Sequence, residues 1–159
     1  MKKIIVGLMI VVIIGIIVWL RLNPPLDGSG FYRNPDSTTI VIGLGNKGFG
    51  DIQVTEVLVN NGVTPADVKM QIVHPDKGSI VVNDVLSSEE AAYNLFSLKD
   101  SKIKKGTIVQ EIWERQGKDQ LKEEDKIYGL TIVNNEPIYN VEVHYSYLKM
   151  PYKIEMSTK

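Results

Sequence analysis

The chain has 159 residues, with 18 basic and 19 acidic side chains, and no cysteine. The missing thiol excludes disulfides, thiolate metal sites, cysteine nucleophiles and a cysteine-linked lipid anchor. The near-neutral balance offers no bulk attraction for nucleic acid.

The chain opens on an apolar run. Ile4–Leu20 holds no charged side chain, Lys2 and Lys3 precede it, and Arg21 follows. Extended to Leu22, it reaches roughly 28 Å as a helix, close to the hydrocarbon thickness of a bilayer. Residues 1–22 are therefore expected to form a transmembrane helix. Ile4 lies near its inner end and Trp19 near its outer end, where an indole suits the headgroup region. Lys2 and Lys3 predict a cytoplasmic N-terminus and an extracytoplasmic remainder. A cleaved signal peptide is the competing reading. Its apolar core is shorter and ends at small residues, whereas Trp19–Leu20–Arg21–Leu22 is bulky and Pro24–Pro25 follows. Gly7 and Gly15 share a helix face and would permit close helix–helix approach.

Residues 23–37 read as a flexible tether, from Pro24, Pro25, Gly28, Ser29, Gly30 and Pro35. Phe31 and Tyr32 interrupt it, as aromatics to dock on the domain or rest at the lipid interface. The 137 residues after Leu22 carry 15 basic and 19 acidic side chains, a net charge of −4. That length supports one domain with its own hydrophobic core, here 38–159.

From Thr38 the dominant period is two. Ile40, Ile42 and Leu44 mark one strand. Ile52 and Val54, then Val57 and Val59, mark a second with a bulge near Thr55–Glu56. Asn60–Asn61–Gly62 ends it with a turn. Val68, Met70 and Ile72 mark a third, followed by a turn at His74–Gly78 and a returning strand at Ser79–Asn83. Ser87 and Glu90 are spaced as a capping box for a short helix reaching Phe96. Thr107–Arg115 is ambiguous. Ile108 with Ile112 and Val109 with Trp113 fit a helix, but the β-branched content favours a strand. Gly117–Lys126 reads as a polar loop. Tyr128, Leu130 and Ile132 mark another strand, and Asn134–Pro137 turns the chain. Tyr139, Val141, Val143, Tyr145 and Tyr147 then share one face of a long strand.

About seven short antiparallel strands predict an all-β sandwich. Tyr128–Leu130 resembles the lead into the penultimate strand of immunoglobulin-like domains, with Leu130 where antibody domains have cysteine. The chain thus resembles immunoglobulin-like β-sandwich domains of small membrane-anchored bacterial proteins. That resemblance implies a fold and no function.

Gly43–Leu44–Gly45–Asn46–Lys47–Gly48 matches a dinucleotide fingerprint, with Asp67 about twenty residues on. The fingerprint needs a helix after its glycines, and Ile52–Thr55 is strand-like, so a glycine-rich hairpin with positive φ is expected. His74 and His144 belong to no catalytic motif, and no metal-ligand spacing appears. Glu123–Glu124–Asp125 lacks the ligand order of a calcium loop. Tyr139, Tyr145, Tyr147 and Tyr152 read mainly as core. Lys99, Lys102, Lys104 and Lys105, with Phe31 and Tyr32, form the candidate interaction surface, suited to lipid headgroups or an anionic wall polymer. The expectation is a membrane-tethered binding module, with no catalytic residue, cofactor or metal, facing an envelope protein or wall component. The alternative is an accessory subunit assembled through the helix.

Overall fold

The computed structural model describes residues 2–75 and 95–158. The expected turn residues Asp76–Gly78, the returning strand Ser79–Asn83 and the helix from Ser87 to Asn94 lie outside the described residues. Helix α1 spans Lys2–Leu22, and its stretch Ile4–Leu22 is long and apolar enough to cross a membrane. From Ile4 to Trp19 every side chain is exposed, so nothing among the described residues covers that apolar surface.

The rest of the described chain is mostly β, in two antiparallel sheets. The strands are β1 (Leu26–Arg33), β2 (Thr39–Asn46), β3 (Ile52–Val59), β4 (Asp67–Val73), β5 (Leu95–Phe96), β6 (Ile127–Val133), β7 (Asn140–Tyr147) and β8 (Met150–Ser157). One sheet has the order β1-β2-β6-β4-β5 and the other β3-β7-β8. Eight strands among the described residues exceed the expected seven. The two-residue β5 replaces the end of the expected helix, where Met70 pairs with Phe96.

Period-two alternation in β2, β3 and β7 sends one face of each strand into a shared core. Ile40, Ile42, Leu44, Leu130 and Ile132 from one sheet join Ile52, Val54, Val141, Val143 and Tyr145 from the other. Burying each such side chain stabilises the fold by about 1.5–3 kcal/mol. The bulge lies where the pattern shifts, between Val54 and Glu56. Asn60, Asn61 and Gly62 all have positive φ and turn β3 back so that Val59 bonds Val63.

Four expectations are corrected. The tether is not one: Leu26–Arg33 is an edge strand paired to β2. Gly30 adopts a left-handed φ of 72° at the bulge between Ser29 and Phe31, and a Cβ on it would lie 3.0 Å from the Trp113 ring. Val109–Gly117 is helix α2, not a strand. Val109 and Ile112 are buried while the intervening side chains are exposed, so helical spacing prevailed over β-branched content. Tyr128 and Leu130 lie on β6 rather than on the penultimate strand β7. Finally, the glycine motif is not a hairpin. It ends β2 in one sheet and leads to β3 in the other, and Gly45, Gly48 and Gly50 have no positive φ. Instead its glycines admit close neighbours. A Cβ on Gly43 would collide with the Ser29 carbonyl, and one on Gly45 would lie 2.9 Å from the Thr107 carbonyl.

The β7–β8 hairpin closes on Leu148 and Lys149, both left-handed, at φ 50° and 64°. Such two-residue turns favour Asn-Gly, and side chains like leucine there cost about 1–2 kcal/mol per residue.

Gly45→Ala is expected to destabilise the fold by about 1–3 kcal/mol, because backbone must shift to admit the methyl. Gly117→Ala, which meets nothing within 4 Å, should leave stability unchanged or raise it. Thermal melts of the full chain in detergent, followed by tryptophan fluorescence, compare the two.

Candidate functional site

Helix α1 is built into the domain at its C-terminal end. Leu20 is 7% exposed and belongs to the shared core. Its carbonyl accepts a hydrogen bond from Tyr152 Oη at 3.3 Å. The Arg21 guanidinium lies 5.2 Å from the centre of the Tyr152 ring and donates to the Pro151 carbonyl at 2.9 Å. Asn23 caps the helix by donating from Nδ2 to the Trp19 carbonyl at 2.9 Å. Pro25 is buried, and its carbonyl accepts from the Lys47 amide at 2.9 Å. Tyr152 stacks on Tyr145 at 5.4 Å and meets Tyr147 edge-on at 6.2 Å. Tyr145 and Tyr147 are buried as expected, whereas Tyr139 precedes β7 and is exposed.

Asn46, the polar residue within the glycine motif, ties together the loops at this end. It is fully buried. Its Nδ2 donates to the Gly50 and Ile103 carbonyls at 2.9 and 3.1 Å, and its Oδ1 accepts from the Gly48 amide at 2.9 Å. Its backbone amide bonds the Thr107 carbonyl. Sequence reasoning passed over this residue, because a buried asparagine has no periodic signature.

The segment held there carries the predicted lysines. Lys99 lies on a 3-10 turn, Leu98–Asp100, and is exposed, as are Lys102, Lys104 and Lys105. Ile103 points inward, fully buried, and exchanges two backbone bonds with Ile52. Lys104 Nζ sits 2.8 Å from Asp51 Oδ2 and holds that carboxyl below its ordinary range. Phe31 and Tyr32 lie on β1, paired with Ile42 and Val41 of β2, whereas the segment carrying the lysines bridges to β2 at Asn46 and to β3 at Ile52. Gly7 and Gly15 stand in open space on α1, as do the exposed Ile4 and Trp19.

Beside the lysines is an open hollow of about 490 Å³, lined by Lys104, Lys105, Thr107, Glu124, Asp125 and Tyr128 among others. Asp125 is buried beneath it and accepts from Arg115 Nε and Nη2 at 3.0 and 2.7 Å and from the Lys122 amide at 3.0 Å. The Arg115 hydrogen bonds hold the Asp125 carboxyl below its ordinary range, against the opposing effect of burial. The hollow therefore presents both charge signs and selects neither. On the outer face of β7 and β8, Glu142 bonds His144 and sits 3.1 Å from Lys153 Nζ. Those partners hold the Glu142 carboxyl down at about 2. His74 Nε2 lies 3.2 Å from the Lys122 carbonyl. Among the described residues no group of three His, Asp or Glu side chains is placed to hold a metal ion.

Comparison with protein-family models, with curated proteins and with solved structures finds no match to this chain.

Asn46→Ala should lower stability by about 0.5–1.5 kcal/mol for each of the hydrogen bonds its side chain makes to Gly48, Gly50 and Ile103, measured as a fall in melting temperature. Asp125→Asn should destabilise the protein at pH 7. The native pKa is lowered, so the stabilisation is complete above the unfolded value near 3.9 and is lost as pH falls through the native one. The melting difference between wild type and Asp125→Asn should accordingly shrink below about pH 4; a constant difference down to acid pH would remove the carboxylate from this role.

Proposed function

We propose that the protein is a single-pass membrane protein whose domain is an immunoglobulin-like β-sandwich held outside the cytoplasm as a binding module. The observation that carries the reading is the junction. An apolar helix with no cover of its own runs into a β domain that buries Leu20 and grips Arg21. Such a helix needs a lipid environment for its sides, and the grip keeps the domain at that surface. The charge bias of Lys2 and Lys3 supports the outward orientation.

Strand order supports the sandwich. Seven strands have seven residues or more. In chain order they form a first-second-fifth-fourth sheet and a third-sixth-seventh sheet, with β5 added at one edge. Constant-type immunoglobulin domains have the same order. The hollow beside Lys105 and Tyr128 is the candidate contact for an envelope protein or wall component.

The absence of cysteine makes orientation directly testable. Asn61→Cys should react with a membrane-impermeant maleimide on intact cells, and Lys3→Cys only after permeabilisation. The reverse pattern would refute the orientation. A photo-crosslinker at Lys105 should capture a defined envelope component in intact cells; no adduct, with surface display intact, would refute the binding role.

A further inference from the structure

The two ends of the domain differ in the chemistry of their turns. At the far end the chain turns on Asn60–Asn61–Gly62 and on Asn134–Pro137, both polar. At the end beside α1 the chain turns on Phe49 and on Leu148–Lys149. Phe49 is 63% exposed and Leu148 43% exposed. They are neighbours. The Phe49 ring lies 5.8 Å from that of Tyr147, its amide donates to Tyr147 Oη at 3.1 Å, and Leu148 lies over Gly50. Leucine and lysine occupy a left-handed turn that asparagine and glycine would fill without strain. Among the described residues Leu148 touches the Gly50 backbone, and nothing covers the rest of its side chain.

Position says what does. Arg21 binds the Pro151 carbonyl, and Lys149 lies two residues before Pro151, roughly 7 Å along the strand. The hairpin tip is therefore at the end of the domain that the apolar helix joins, and Trp19 and Leu22 on that helix are exposed as well. We infer that Phe49 and Leu148 enter the headgroup layer of the bilayer that α1 spans, with Lys149 among the lipid phosphates. The inference rests on the membrane reading above. An exposed aromatic, an aliphatic side chain and a cation at one tip match the residues that bind bilayer interfaces. The strained turn follows, because a polar Asn-Gly turn would forfeit that contact. The domain then stands on two supports, helix and tip, and its far end is held away from the surface. Along β3 from Ile52 to Val59 that distance is roughly 23 Å.

The test uses the full chain, free of native cysteine. Val11→Cys, Phe49→Cys, Val63→Cys and Leu148→Cys are labelled with an environment-sensitive fluorophore. They are reconstituted in vesicles of phosphatidylcholine and phosphatidylglycerol carrying nitroxide lipids. The expected result is quenching at 11, 49 and 148 and none at 63, an exposed apolar position at the far end. Quenching at 11 without quenching at 49 and 148 overturns the inference and leaves the membrane span standing. No quenching at 11 overturns the span itself, and quenching at 63 as well overturns the end-specific contact. The double variant Leu148→Asn, Lys149→Gly should melt at a higher temperature and show less quenching of a label at 49. Unchanged quenching would remove the hairpin tip from the contact.

Discussion

The burial of Leu20 in the β domain is the contact on which the arrangement of this protein depends. It makes the last turn of an apolar helix part of a hydrophobic core. The Leu20 carbonyl is held by the Tyr152 hydroxyl, and Arg21 by a carbonyl and an aromatic face. Asn23 satisfies the Trp19 carbonyl, which a helix end otherwise leaves without a partner. Pro25 then passes directly into the first strand. Between helix and sheet stand only Asn23, Pro24 and Pro25. The helix is therefore joined to one end of the domain by hydrogen bonds and an aromatic contact as well as by the chain.

Asn46 extends that constraint into the loops. A buried amide demands partners, and this one finds them in the β2–β3 crossing and in the segment carrying the lysines. The crossing passes from one sheet to the other, so Asn46 and Ile103 together hold the two sheets in register at the junction end. The lysines are exposed as a consequence of Ile103 being buried, because alternation turns Lys102 and Lys104 outward. Their exposure is first a structural result. The paired Lys104–Asp51 contact contributes little to stability at this surface.

Much of the β pattern was legible in the chain. The alternation of Ile40, Ile42 and Leu44, the bulge after Val54, the Asn60–Gly62 turn and the Val141–Tyr147 face all appear where the residues indicate. Strand β8 carries the same signal in Met150, Tyr152, Ile154 and Met156, which alternate inward. Strand β1 was illegible for a physical reason. Its glycines suit a linker equally well, and only the folded strand shows Gly30 in a left-handed conformation against the Trp113 ring. Helix α2 carried competing signals of propensity and spacing, and tertiary contact decided between them, because Val109 and Ile112 both found cover.

The sequence alone determined the apolar helix, the two-residue period and the chemistry denied by the lack of cysteine, since these depend on residue type and order. Only tertiary structure decided what the glycine motif is for, where Asn46 and Asp125 find partners, and which end of the domain faces the helix. Those are contacts between residues far apart in the chain. Their geometry has no local periodicity, and so it leaves no pattern to read before the strands are paired. The proposed lipid contact belongs to the same class: Phe49 and Leu148 are ninety-nine residues apart, and only pairing of β3 with β7 makes them one surface.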